Sequence, residues 1–337
     1  MALINIDQNL SGLLERAVNN MVKLNKSYHW QGREDTEDGQ NGLRWHQIID
    51  TRQQINSCAL LGFECDLGVA ANKGRIGADQ GPNVIRNALA NLAWHADCDL
   101  FDAGNIVAAT SLSDSQHQYT QQIAKNLDEH SFVIGLGGGH EIAWGSYQGL
   151  VLHLRSGSNK KIGIVNFDAH FDLRNPAQKT SSGTPFRQIA EFCKTNSQPF
   201  HYACLGVAES SNTTALFNYA KQTNTRYLLD IDCNTNAAKQ LLEPMLKQVD
   251  ELYVTVCLDA FAANVAPGVS APSALGISVE FVIQMLRWIA QSQAAFHYNW
   301  RLADIAEMNP NYDIDNRTAK LAARLIYEVV GGKFSKL

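Results

Sequence analysis

No window of the chain approaches the roughly 18 uninterrupted apolar residues that a membrane-spanning helix needs. The opening MALINIDQNLSGLLERAV lacks the basic-then-apolar layout of a secretory signal. Basic residues are not in excess: 28 Lys and Arg against 33 Asp and Glu leave a formal charge of −5. No positive field gathers phosphates, so nucleic acid is set aside as a partner. Proline is scarce, at 8 of 337 residues, and no repeat, low-complexity tract or Pro/Ser-rich linker interrupts residues 55–330. Seven cysteines, at 58, 65, 98, 193, 204, 233 and 257, form no Cys-x-x-Cys pair. Their odd number argues against a disulfide framework and for a reduced compartment, so the expectation is a cytoplasmic protein. Ser335-Lys336-Leu337 match a peroxisomal address, a three-residue pattern that arises easily by chance.

What remains is an ordinary globular composition, 45% apolar with 24 Gly, able to bury a large core. Residues 1–50 hold a helix-like start and then the polar WQGREDTEDGQNG, read as an N-terminal arm or loop packed on the rest. Residues 51–337 read as a single domain. Apolar runs at 57–63, 131–136, 161–167, 200–207, 226–229, 252–258 and 297–303 predict strands. Helical spacing falls between several of them, at 82–94, 140–154, 279–291 and 315–330, the last stopping at Gly331-Gly332. Pro82 suits a first helical turn. Strands alternating with helices give the fold class: a three-layer α/β/α sandwich around a central, mainly parallel sheet.

Functional groups of open parallel sheets gather at the carboxyl ends of strands. Three predicted strand ends carry ligand-type residues: Gly137-Gly138-Gly139-His140-Glu141, Asn166-Phe167-Asp168-Ala169-His170-Phe171-Asp172, and Thr255-Val256-Cys257-Leu258-Asp259. Alternate residues of an extended segment share a side, so Asp168, His170 and Asp172 are expected to converge, as are Thr255, Cys257 and Asp259. His140 arrives from its own loop. Carboxylates with two imidazoles suit Mn²⁺ better than a sulfur-rich zinc site, and their density suggests two ions sharing a water. Two blander readings stand beside this. Gly135 and Gly137 could open a dinucleotide loop, but its third glycine position is His140, and no acid follows about 20 residues on. Asp168 and Asp172 taken singly could be helix caps or loop carboxylates.

Taken in order, these segments resemble the Gly-Gly-x-His, Asp-Ala-His-x-Asp and Ser-x-Asp-x-Asp motifs of the ureohydrolase superfamily of arginases, agmatinases and formimidoylglutamases. The resemblance covers about 55–330. Trp30-Gln31-Gly32-Arg33, Asn72-Lys73-Gly74-Arg75-Ile76-Gly77-Ala78 with Gly81-Pro82, Ser182-Gly183-Thr184-Pro185-Phe186-Arg187, and Ala266-Pro267-Gly268-Val269-Ser270-Ala271-Pro272 are similar to the formimidoylglutamase branch. That branch implies hydrolysis of N-formimidoyl-L-glutamate, a small amidine, to L-glutamate and formamide in histidine degradation. The nucleophile would be a hydroxide made available at neutral pH by two Mn²⁺ ions. By the same resemblance Asp168 bridges the ions, His140 and Asp172 hold one, and His170 and Asp259 hold the other. Glu307, in Ala306-Glu307-Met308-Asn309-Pro310, matches the glutamate that grips the cationic nitrogen of the substrate. Arg174 falls where arginases place a carboxylate-reading asparagine, and it suits a second substrate carboxylate; Arg75 and Arg187 are further candidates. Ser182 stands where arginases carry a proton-shuttling histidine, which leaves proton delivery unassigned.

One departure concerns the metals. The motif's first carboxylate, expected to bridge both ions, is Cys257, and a thiolate is a poorer ligand for Mn²⁺. Cys257 either ligates in a centre of unequal metal affinities or is an inert buried thiol beside a single-metal or empty site. The rival functions are an arginase- or agmatinase-type guanidino hydrolase and a non-catalytic binding member. Relatives commonly form trimers or hexamers, so a homo-oligomer is expected.

Overall fold

The computed structural model of the chain describes residues 24–26, 28–50, 56–154 and 159–334. The helix-like start and the Ser335-Lys336-Leu337 terminus lie outside the described residues. Nine strands form one sheet: β1 Leu24–Asn25, β2 Ser57–Glu64, β3 Asp99–Val107, β4 Phe132–Leu136, β5 Ile162–Phe167, β6 His201–Val207, β7 Arg226–Leu229, β8 Glu251–Cys257 and β9 Asn299–Ala306. Their spatial order is β1-β3-β2-β4-β9-β8-β5-β6-β7, parallel throughout except for β1 against β3.

The strands are apolar on both sides because both sides are covered. Along β2, Cys58 and Leu60 enter one core while Ala59, Leu61 and Phe63 enter the other. The first core is closed by helices α3 Gly81–Ala90, α8 Thr235–Leu246, α9 Val279–Phe296 and α10 Arg317–Lys333. The second is closed by α4 Leu112–Glu129, α5 Ile142–Leu154, α6 Pro185–Thr195 and α7 Thr214–Gln222. Two short helices, α1 Trp45–Ile48 and α2 Leu67–Ala71, complete the set among the described residues. This is the expected three-layer sandwich. Among the described residues, no helix is long and apolar enough to cross a membrane.

Three local expectations change. Residues 99–107, outside the predicted strands, form β3, whose Asp102 takes a paired ion bond from the fully buried Arg86 at 2.7 Å and a 2.7 Å hydrogen bond from Trp30. Asp102 thereby ties the 28–50 segment to the strand, a use that hydrophobic periodicity does not register. Helix α9 runs on to Phe296, where His297 takes the left-handed conformation (φ 62°) that closes many helices. Helix α10 does not stop at Gly331-Gly332 but continues to Lys333. A Cβ on Gly332 would lie 3.1 Å from the Ala290 methyl on α9, so the glycine serves close helix packing rather than termination.

Candidate metal centre

Four neighbouring strands, β4, β9, β8 and β5, deliver the ligand-type residues from their carboxyl ends. After β4 the chain turns sharply beneath the exit of β2. Gly138 donates to Phe63 O at 3.0 Å and Gly139 to Cys65 O at 3.1 Å. A Cβ on Gly138 would stand 2.0 Å from Cys65 O, so a side chain there would push the loop, and His140 with it, out of place.

The loop after β5 converges for a different reason than alternation. The strand ends at Phe167, His170 donates its backbone N–H to Asp168 Oδ1 at 2.7 Å, and Asp172 adopts φ 49°. A compact turn, not an extended segment, therefore gathers Asp168, His170 and Asp172. On β8, Thr255 and Cys257 face the same side as Tyr253, whereas Asp259 reaches the site from a single 3₁₀ turn, Leu258–Ala260.

His140 Nδ1 sits 2.9 Å from Asp168 Oδ2 and 2.9 Å from Asp172 Oδ2. His170 Nδ1 sits 3.2 Å from Asp259 Oδ2 and 3.5 Å from Asp168 Oδ1. Two three-donor groups result, His140–Asp168–Cys257 and Asp168–His170–Asp259, each with its donor atoms within 4.8 Å of one another and Asp168 common to both. Among the described residues His140 Nδ1, Asp259 Oδ1 and Glu307 Oε2 are buried atoms with no hydrogen-bond partner. Hard oxygen donors with imidazole, lacking partners around a shared carboxylate, are a set that fits divalent cations.

The electrostatics show the crowding. Burial would raise the Asp168 carboxyl, but the His140 and His170 imidazoles beside it hold it well below the usual range. Burial, then the Asp168 charge, lifts Asp172 to about 6 and raises Asp259. Burial would lower both histidines, and the surrounding carboxylates reverse the sign and push them up. The Cys257 thiol is pushed up by burial and then by Asp168, Asp259 and Glu307.

Glu307 is 4% exposed, so it is not a surface acid. Its Oε1 accepts the His140 backbone N–H at 2.9 Å, while its own N–H donates to Gly138 O at 2.8 Å. Burial, then Asp259 and Glu141, raise its carboxyl. These groups floor a cavity of about 280 Å³ whose lining also includes the cations Lys73, Arg75 and Arg174.

The three sequence-selected arginines are placed differently. Arg174 is exposed at the cavity, its backbone N–H bonded to Gly183 O at 2.9 Å. Arg75 is committed: its guanidinium bonds Ser270 O at 3.0 Å and Val269 O, and stacks 3.8 Å over Tyr312. Arg187 is not in the cavity lining; it pairs with Glu191 at 3.0 Å and lies 4.2 Å over the Tyr219 ring. The expected place for Arg187 is therefore corrected, because helix α6 turns it toward its own (i, i+4) partner. Sequence reasoning passed over Lys73, although it sits in a quoted segment, and over Asp304, whose signal is a lone carboxylate inside the buried run WRLADIA.

The fold and the site together define a parallel α/β protein with a carboxylate–imidazole centre at its strand ends. A family model described as the arginase family matches residues 56–331, and the chain belongs to that family. Curated relatives include the formimidoylglutamase of Aliivibrio fischeri, 45% identical over 334 residues, covering 91% of this chain and 95% of the relative. That of Hahella chejuensis is 46% identical over 308 residues, covering 90% and 94%. The solved formimidoylglutamase of Bacillus subtilis superposes with a TM-score of 0.77 at 23% identity, covering 95% of this chain and 100% of that one. The Trypanosoma cruzi formiminoglutamase solved with Mn²⁺ gives 0.76 at 22%, covering 88% and 99%. These two structures support the fold. With its relatives, this chain is a hydrolase, which sets aside the non-catalytic reading.

Proposed function

We propose that the chain hydrolyses N-formimidoyl-L-glutamate to L-glutamate and formamide, with Mn²⁺ as its metal. The observation that carries this is the pair of donor groups sharing Asp168 beneath an unpartnered Glu307 oxygen, in a cavity edged by cations. The name borne by relatives about 45% identical selects the substrate within the family. His140, Asp168, Asp172 and Cys257 would hold one ion, and Asp168, His170 and Asp259 the other. Ions held there would supply Lewis acidity that brings the pKa of a shared water toward neutrality.

The chain's own residues do the remaining work. Glu307 uses Oε1 to fix the His140 loop, which leaves Oε2 to accept an N–H of the amidinium and orient its carbon toward Asp168. Lys73 and Arg174 receive the two carboxylates of the glutamyl part, while Arg75 braces the 268–271 loop. Water adds to the amidine carbon and the bond from that carbon to the glutamyl nitrogen breaks, giving formamide and a free amine. Cations at the mouth favour an anionic substrate over agmatine, which has no carboxylate.

The family match and the single sheet support one catalytic domain over 51–337, with the described part of 1–50 as an arm laid on it. Seven free cysteines support a reducing setting, the cytoplasm, and the name borne by the relatives supports a step of histidine degradation. The deciding experiment assays formamide release from N-formimidoyl-L-glutamate against urea release from arginine and agmatine, with Mn²⁺ present. Formamide as the dominant product is expected; urea would overturn the proposal.

A further inference from the structure

Lys73 and Arg75 lie on a loop, residues 72–77, that follows helix α2 and closes back on Asp66, whose Oδ2 accepts the Gly77 N–H at 2.7 Å. The middle of this loop is held by Asn309, a fully buried residue two positions beyond Glu307. Asn309 Nδ2 donates to Arg75 O at 3.0 Å and to Ile76 O at 3.1 Å, while its Oδ1 accepts the Asn311 N–H at 3.1 Å. Its backbone N–H donates to Gly268 O at 2.8 Å. Arg75 in turn meets the next wall of the cavity, its own N–H donating to Ser270 Oγ at 2.8 Å. One side chain, itself outside the cavity lining, thus fastens the Lys73 loop to the chain segment that presents Glu307.

We propose that Asn309 is a positioning residue that sets the length of substrate the site accepts, by fixing the Lys73 loop at one distance from Glu307 and from Arg174. The inference rests on the substrate reading proposed above. There the amidine is held at three points: Glu307 takes the amidinium, and Lys73 and Arg174 take the two carboxylates. Adding or removing one methylene in the substrate side chain changes the separation of those carboxylates. A charge-assisted hydrogen bond weakens steeply once its geometry is lost. A fixed spacing of the two cations therefore selects one length, whichever cation takes which carboxylate, whereas a loose loop would follow the substrate and accept several. Asn309 also caps the 3₁₀ turn Pro310–Tyr312 through Oδ1. That duty needs only an oxygen acceptor, which aspartate supplies as well. The two Nδ2 bonds to the Lys73 loop are what the turn does not require.

Asn309→Asp separates the two duties, because it keeps the volume and the cap but turns an oxygen without a proton on the Arg75 and Ile76 carbonyls. Gly77→Ala disturbs the same contact with Asn309 intact. Gly77 has φ 127°, and a Cβ there would lie 2.6 Å from Asn309 Oδ1. The test measures formamide release, with Mn²⁺ present, from N-formimidoyl-L-glutamate and from its aspartate and 2-aminoadipate homologues, together with bound Mn²⁺ and melting curves. Wild type is expected to favour the glutamate compound over both homologues by about 10- to 100-fold in kcat/KM. Each variant should cut that preference by about tenfold, through a raised KM for the glutamate compound, with kcat and bound Mn²⁺ unchanged. An unchanged preference in the folded variants overturns the inference. So does an equal loss on all three substrates, which leaves Asn309 as a turn cap, or a wild type that does not distinguish the three. Should Asn309→Asp fail to fold, Gly77→Ala decides. A wild type that releases no formamide from any of the three overturns the substrate reading and this inference together.

Discussion

The backbone N–H of His140 donates to Glu307 Oε1 at 2.9 Å, and the Glu307 N–H returns a 2.8 Å bond to Gly138 O in the same loop. Each residue thereby places the other. The β4 loop that offers an imidazole to the metal centre and the β9 end that offers a carboxylate to the substrate move as one unit. The carboxylate is also tethered at one oxygen only, so its second oxygen is aimed without needing a third partner.

That arrangement predicts the behaviour of Glu307→Gln. The amide oxygen still accepts the His140 N–H, so the loop and the metals stay, but the substrate-facing group changes from a charged acceptor to a neutral one. A charge-assisted hydrogen bond contributes about 1.5–3 kcal/mol, so kcat/KM falls by about 10- to 100-fold while the Mn²⁺ content holds. Loss of bound Mn²⁺ in this variant, or unchanged kcat/KM, would contradict the assigned role.

The three arginines chosen from sequence, with Lys73, are expected to separate by function. Lys73→Met and Arg174→Met each remove a cation at the cavity and should raise KM for N-formimidoyl-L-glutamate by about tenfold with kcat little changed. The same changes should matter much less for a formimidoyl amino acid lacking the side-chain carboxylate. Arg187→Met, paired with Glu191 outside the cavity lining, should leave both constants unchanged. Steady-state kinetics on the two substrates checks all three; a KM effect for Arg187→Met would return that residue to the site.

The residues just named show what a sequence makes legible. His140, Asp168, His170, Asp172 and Asp259 could be picked out because each follows an apolar strand run in a segment of ligand-rich residues, and Glu307 through the family resemblance alone. What gathers them was read less well: the β5 segment converges through the Asp168–His170 turn and the left-handed Asp172, not through alternation. Asp304 escaped because its pairing with Thr255 depends on the register between β8 and β9, strands joined in sequence through α9 and in space by nothing the pattern displays. Lys73 follows helix α2 with φ 62°, a local conformation that sets its direction and leaves no spacing signal. Gly331 and Gly332 misled as a helix stop because packing on α9 also selects glycine.

Cys257 falls in the same donor group as His140 and Asp168, and that placement can be tested with the metal itself as reporter. Thiolate prefers softer cations than Mn²⁺. Substituting Co²⁺ should therefore give a near-ultraviolet thiolate charge-transfer band that Cys257→Ser lacks. Cys257→Asp should bind Mn²⁺ more tightly than wild type, by about tenfold at one site. A Co²⁺ spectrum without the band, together with unchanged Mn²⁺ binding in Cys257→Asp, would leave the thiol as an inert part of the core.

The far end of the sheet carries a prediction in which pH enters with a definite sign. Burial, followed by the like charge of Arg301, lowers the Lys333 ammonium from its ordinary 10.5 to about 8, with Glu251 opposing. Its Nζ bonds Gln293 Oε1 at 2.8 Å and Asn299 Oδ1 at 3.3 Å, neutral acceptors that do not offset a buried charge. The unfolded chain therefore holds this proton more tightly than the folded one. Stability from this group rises as pH climbs from about 8 to 10.5, and below that window the folded state carries the full penalty. Lys333→Met removes the penalty along with two hydrogen bonds, so it should stabilise the protein at pH 7 by about 1–2 kcal/mol. The gain should shrink toward pH 10, where wild type has already shed most of the charge. Urea unfolding of both proteins at pH 7 and pH 10 measures the difference, with the other alkaline titrations common to the pair. A variant less stable at pH 7, by an amount that does not change with pH, would mean that the ammonium's hydrogen bonds outweigh its desolvation.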